Sequence, residues 1–202
     1  MTTYDIEKAC QALFVEQHDK SPHQYLTDDF TVPDNAVFVD VGAAEGNMSL
    51  KLVEKAKKVY IIEADPTWRP ALEATFEPWA DKVEIICKYA SDTSNANEIS
   101  VDSLFEKEGR IDFIKIDVEG AEEKVIHGSV NTIKSSANTL KLALCTYHKD
   151  GDAEKFSQLL KSYNFKISFS DGYMIFPYSE TYPKPPYLRK GLIRATLTPA
   201  YN

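Results

Sequence analysis

The run Ala36-Val37-Phe38-Val39-Asp40-Val41, followed at once by Gly42-Ala43-Ala44-Glu45-Gly46, constrains this chain more than any other feature. The first part is apolar with almost no alternation, which suits a strand buried on both faces of a parallel sheet. The second part is a tight turn of small residues. Leu52, Val53 and Ala56 follow at helical spacing, so the turn is expected to lead into a helix. The same alternation recurs. Val59–Ile62, Val83–Cys87, Ile111–Ile116 and Leu140–Cys145 read as further strands. Ile6, Ala9, Cys10, Leu13 and Phe14 share one helical face near the N-terminus. Trp68, Leu72, Phe76 and Trp79 mark a helix that Asp65 can cap and Pro66 can start. Ala121–His127 reads as a short helix with Gly128 at its C-cap, and Phe156, Leu159, Leu160 and Tyr163 mark another. Phe165–Phe169, Tyr173–Phe176 and Leu192–Leu197 then follow one another as strands with no helix between them. This order predicts an α/β fold, a three-layer α-β-α sandwich with a mostly parallel sheet and an antiparallel edge.

The length of 202 residues fits one domain. Within it, residues 1–35 are expected to form a helix and covering segment, 36–150 a ligand-binding core, and 151–202 a helix and β-rich end. The formal net charge of −8, with no basic run, excludes binding a nucleic-acid backbone through clustered cations. No apolar run approaches the ~20 residues that span a bilayer, so no membrane contact is expected. The first residues lack a basic region followed by an apolar one, which predicts a cytoplasmic location. Cys10, Cys87 and Cys145 are far apart in apolar stretches and are expected to be buried free thiols.

The turn after the first strand lies where doubly wound folds bind ligands. Gly42 and Gly46 allow close approach of a ligand, and the helix beyond Gly46 offers free N–H groups to an anionic group such as a carboxylate. The pattern fails as the dinucleotide fingerprint G-x-G-x-x-G, because Ala44 takes the central position and the last Gly comes one residue early. A D-x-G-x-x-x-G turn remains. Asp40 before it points to a ligand with positive charge or several donors, and a pyrophosphate beside Asp40 and Glu45 would be repelled. Glu63, 17 residues after Gly46 at the end of the second strand, can accept two hydrogen bonds from ribose hydroxyls.

These residues resemble motif I and the acidic loop of class I S-adenosylmethionine-dependent methyltransferases. The run Val101-Asp102-Ser103-Leu104-Phe105, then Ile111-Asp112-Phe113-Ile114-Lys115-Ile116-Asp117-Val118-Glu119-Gly120-Ala121-Glu122, with Tyr147-His148-Lys149 further on, is similar to the FkbM family signature. The resemblance covers about Ala36 to Asp152. It implies a Rossmann-like sheet of seven strands and transfer of a methyl group from S-adenosyl-L-methionine, most often to a hydroxyl of a sugar or natural-product-like acceptor. It implies cofactor contacts from Asp40, Gly42, Ala43, Ala44, Glu45, Gly46, Asn47, Glu63, Ala64 and Asp117, and from Ser91 and Asp92 near the adenine. Thr146 stands where many members of the family carry Glu, and no metal ligands are assigned; a divalent metal is compatible with the chemistry but unsupported.

A hydroxyl is a poor nucleophile until it loses its proton, so a base is useful. His148 at the end of the fifth strand is the candidate base. Asp117 and Glu119, at the end of the fourth, are its candidate catalytic companions; Asp117 could orient His148, contact the cofactor or bind a metal, and both could alternatively cap the helix at Ala121–His127. Lys115 lies mid-strand and is costly to bury unpaired, which predicts a pair with Asp40. His18, His23 and Tyr25 precede the first strand; the resemblance allows such a segment to cover the active site, but as lone loop residues they are expected to be ordinary surface groups. The basic, Pro-rich stretch Tyr182–Lys190 is expected to be a rigid solvated connection. The missing Gly and the β-rich end speak against a nicotinamide oxidoreductase. A degenerate fold that only binds cofactor or a protein is the alternative. The acceptor and the oligomeric state have no sequence signature.

Overall fold

In the computed structural model, residues 3–135, 140–175 and 187–198 are described. The elements in chain order are α1 (Thr3–Gln17), β1 (Val37–Val41), α2 (Asn47–Leu52), β2 (Lys58–Ile62), α3 (Arg69–Phe76), β3 (Val83–Ile86), β4 (Tyr89–Ala90), β5 (Glu98–Ile99), α4 (Val101–Glu108), β6 (Phe113–Ile116), α5 (Glu122–His127), α6 (Val130–Ser135), β7 (Lys141–Cys145), α7 (Asp152–Ser162), β8 (Phe165–Phe169), β9 (Met174–Ile175), β10 (Leu188–Arg189) and β11 (Leu192–Leu197).

All five residues of β1 are buried, as an apolar strand without alternation requires. It sits inside a seven-stranded sheet of order β3-β2-β1-β6-β7-β11-β8. The first five strands are parallel, and β11 runs antiparallel to both β7 and β8. The reversed strand is therefore second from the edge, with β8 outside it. Strand order reverses between β1 and β6, so the C-terminal ends of these two strands flank the crevice where ligands bind in such sheets.

Side chains alternate between two cores, one on each face of the sheet. Val37, Val39 and Val41 join Ile114, Ile116, Leu142 and Leu144 beneath α4, α5 and α7. Phe38 joins Val59, Ile61, Phe113 and Cys145 beneath α2, α3 and the segment carrying Tyr25 and Phe30. Asp65 caps the turn at Pro66–Trp68 by accepting from Thr67 N–H at 2.9 Å, and Gly128 is the C-cap of α5.

Several expectations need correction. Val101–Phe105 opens a helix, α4, which Ser100 caps through Ser103 N–H; the motif had not been read as helical. Of Tyr173–Phe176, only Met174–Ile175 form a strand, and it pairs with β10 outside the main sheet; Phe176 lies outside the described residues. The helix α1 forms, but Ile6 and Phe14 are 49% and 69% exposed, because the helix borders a cavity instead of lying on the sheet. Cys10 is consequently exposed and Cys87 half-buried; only Cys145 is a buried thiol. In the basic stretch, residues 182–186 lie outside the described residues. Arg189 in β10 has a structural role, donating to the carbonyls of Tyr147 and His148 at 2.8 Å each. Among the described residues, no helix is long and apolar enough to cross a membrane.

Candidate active site

A cavity of about 1070 Å³ opens at the C-terminal ends of β1, β2, β6 and β7. One end is built by the turn after β1. Gly42 has φ +72°, and a Cβ there would lie 1.8 Å from the Asp117 carbonyl oxygen. Gly46 has φ +78° and caps α2, and a Cβ there would lie 2.9 Å from the Phe76 ring. Both glycines therefore make room for the protein's own groups, not only for a ligand. Ala44 also has a positive φ, of 47°, and donates its N–H to Glu63 Oε2 at 2.8 Å. Asp65 N–H donates to Glu63 Oε1 at 2.8 Å. Glu63 is thus aimed by two backbone donors, and each of its oxygens retains a lone pair for a ligand. Gly42, Ala43, Ala44, Glu45, Asn47, Glu63 and Ala64 all line the cavity. Glu45 accepts from the Asn47 amide at 2.7 Å.

Asp40 lies deeper and is 1% exposed. It pairs with Lys115 at 3.3 Å and accepts from the Ser49 hydroxyl at 2.7 Å. The Lys115 ammonium also donates to the Gly42 carbonyl. The expected pair is present, and Asp40 also lines the cavity, with Lys115 beside it.

The other end is organised around Asp117. Tyr25 donates to its Oδ2 at 2.7 Å and Tyr147 to its Oδ1 at 3.3 Å. His23 Nε2 lies 3.3 Å from Oδ2, and His148 Nε2 lies 3.3 Å from Oδ1. Burial works to raise the Asp117 pKa, but the His23 hydrogen bond and the charges of Lys115, His23 and His148 outweigh it. The carboxyl is held far below its ordinary range, so Asp117 is an anion and a very weak base. It caps no helix: α5 begins at Glu122 with no side-chain cap.

His148 is flanked by carboxylates on both sides, with Nδ1 2.8 Å from Glu122 Oε1 and Nε2 3.3 Å from Asp117. Burial opposes its charge, yet Glu122, Asp117 and Glu119 together raise its pKa. His148 therefore holds a proton more tightly than the unperturbed imidazole from which its candidacy as base was argued. Glu122 is 1% exposed and also accepts from Gly120 N–H at 3.1 Å. It closed the quoted motif, but no role had been given to it. Glu119 lines the cavity as an exposed carboxylate with φ +50°, a backbone state that is uncommon for a non-glycine residue.

His23 and Tyr25, expected on the surface, are each 6% exposed and inside the site. Arg194 of β11 holds their segment by donating to the carbonyls of Gln24 and Tyr25. No spacing signal marks them, since they meet Asp117 only through the tertiary fold. His18 is exposed, as expected. Ser91 and Asp92 do not line the cavity; Ser91 is buried against Ile99, and Lys88, Tyr89 and Ala90 stand at the wall instead.

With this geometry in hand, comparison with known proteins is informative. The sequence model of the methyltransferase FkbM domain matches residues 41–167. A crystal structure of methyltransferase FkbM from Methylobacillus flagellatus superposes with a TM-score of 0.69 at 17% identity, covering 95% of this chain and 52% of that one. The chain thus spans about half the length of that relative. A putative methyltransferase from Streptococcus mutans, solved in complex with SAH, gives a TM-score of 0.53 at 16% identity, over 97% of this chain and 99% of that one. A precorrin-6y C5,15-methyltransferase from Geobacter metallireducens gives 0.55 at 12% identity, over 83% and 81%. No curated protein sequence matches.

Proposed function

This chain belongs to the FkbM methyltransferase domain family, and from that premise we propose that it transfers a methyl group from S-adenosyl-L-methionine to a hydroxyl of a small acceptor of the sugar or natural-product-like alcohol class. The observation that carries this reading is the two-ended cavity. Glu63, aimed by the N–H groups of Ala44 and Asp65, sits at one end, and the Asp117 cluster sits at the other. The first end suits the ribose and amino-acid portions of the cofactor, with Glu63 accepting from the ribose hydroxyls. The second suits an acceptor oxygen.

In this reading the protein acts mainly by positioning. Holding donor and acceptor in line can supply ~7–11 kcal/mol of the barrier. Tyr25, Tyr147 and His148 orient the acceptor beside the Asp117 anion. Of the three catalytic candidates, Glu119 is the carboxylate left free to accept the hydroxyl proton, while His148 and Asp117 position. Solved methyltransferase neighbours, one of them holding SAH, support the choice of cofactor.

The test is a calorimetric titration with S-adenosyl-L-methionine, with NAD as control and Glu63→Ala beside wild type. Binding of the first alone, weakened at least tenfold in the variant, is expected. Absence of binding overturns the reading in favour of a fold that has lost its cofactor. A hydroxyl-acceptor screen follows a positive result.

A further inference from the structure

Three metal-ligating atoms converge beneath the acceptor end of the cavity, brought together from distant parts of the chain. His23 Nε2 comes from the covering segment, Asp117 Oδ2 from the end of β6, and Cys145 Sγ from the end of β7. All three lie within 4.8 Å of one another. Nε2 to Oδ2 is 3.3 Å and Sγ to Nε2 is 3.7 Å. Four-coordinate zinc, with bonds of about 2.0–2.3 Å to nitrogen, oxygen and sulfur, requires ligand atoms about 3.3–3.6 Å apart. The Tyr25 hydroxyl lies beside them, hydrogen-bonded to Oδ2 at 2.7 Å and standing 3.4 Å from Nε2 and 3.9 Å from Sγ, which leaves the fourth position of the metal outside the three side chains.

We propose that His23, Asp117 and Cys145 form a three-residue site for a zinc-class divalent cation that clasps the covering segment to the ends of β6 and β7. The mixed imidazole, carboxylate and thiolate donors select a borderline-soft metal over magnesium or calcium. The outer contacts are in place too, because a ligating carboxylate is usually hydrogen-bonded in turn. Here Tyr147 and His148 contact Asp117 Oδ1, while Tyr25 donates to Oδ2, so a bound cation would replace that hydrogen bond.

The clasp would add to the Arg194 hydrogen bonds and the packing of Tyr25 and Phe30 that already hold this segment over the cavity. It also sets the shape of the acceptor end. It stands on these side chains alone and goes beyond the methyl-transfer reading, which the cofactor titration tests separately.

The probe is cobalt(II), titrated into the chelator-treated, reduced 202-residue chain and followed by absorption. The expected result is one equivalent giving the visible bands of tetrahedral cobalt together with an ultraviolet thiolate-to-cobalt band. Zinc should displace the cobalt and raise the melting temperature. The thiolate band should persist in Cys10→Ser/Cys87→Ser, which touches only the exposed and half-buried thiols, and vanish in Cys145→Ser. His23→Ala should weaken cobalt binding at least tenfold. A wild-type protein that shows no spectrum in tenfold excess of cobalt overturns the proposal, as does a thiolate band lost in the Cys10/Cys87 variant. Should Cys145→Ser fail to fold, those two measurements still decide.

Discussion

Asp40 and Lys115 face each other in register on the neighbouring strands β1 and β6, paired at 3.3 Å with both side chains almost fully buried. The pair ties the glycine turn to the strand that ends in Asp117, because the same ammonium holds the Gly42 carbonyl. Lys115→Met leaves a buried carboxylate without its partner, which costs about 3–5 kcal/mol. The double variant Asp40→Asn/Lys115→Met should recover a good part of that loss in urea denaturation. Equal stability of Lys115→Met and wild type would show that the pair carries no stability.

Gly42→Ala places a Cβ on the Asp117 carbonyl at a positive φ. Strain of this kind costs about 1–3 kcal/mol, and the clash adds to it. Because the turn and Asp117 move together, both the melting temperature and affinity for S-adenosyl-L-methionine should fall. A variant with an unchanged melting temperature would mean that the backbone yields without cost.

Tyr25→Phe removes the 2.7 Å hydrogen bond to Asp117 and leaves the ring in place. Hydrogen bonds to charged groups contribute about 1.5–3 kcal/mol, and a loss in that range is expected by chemical denaturation. Tyr25 is a recruited part of the site only if the loss exceeds that of a surface tyrosine such as Tyr89→Phe, which serves as the control.

Glu122 is buried, which alone would raise its pKa, but His148 and the Gly120 N–H hold it below its ordinary value of 4.5. A carboxyl depressed on folding contributes stability that is fully present above its unfolded value and lost as pH falls through its folded one. Wild type should therefore exceed Glu122→Gln in stability at neutral pH, and the gap should close below about pH 4.5. Acid titrations followed by circular dichroism check this; a gap that stays constant down to pH 3 would remove Glu122 from the account.

Much of the frame was legible along the chain. Unalternating apolar runs such as Ala36–Val41 and Leu140–Cys145 can be satisfied only inside a covered sheet, and the small-residue turn at Gly42 marks where that sheet binds. The cost of burying Lys115 alone pointed to Asp40 before any contact was known. The helix at Val101 was missed because its apolar positions, Val101 and Leu104, are few, and its start depends on the Ser100 cap.

The amino-acid sequence by itself determined the layers, the strand ends and the two charged anchors of the cavity, Glu63 and Asp117, because hydrophobic period and turn chemistry act over a few residues. The company kept by Asp117 was decided by the tertiary structure alone. His23, Tyr25, Cys145, Tyr147 and His148 reach it across separations that no local pattern records. Packing brings these groups together at low dielectric, where mutual charge and hydrogen bonding set each protonation state. For the same reason His148, an ordinary imidazole in the sequence, has its pKa raised by the two carboxylates that flank it in the fold.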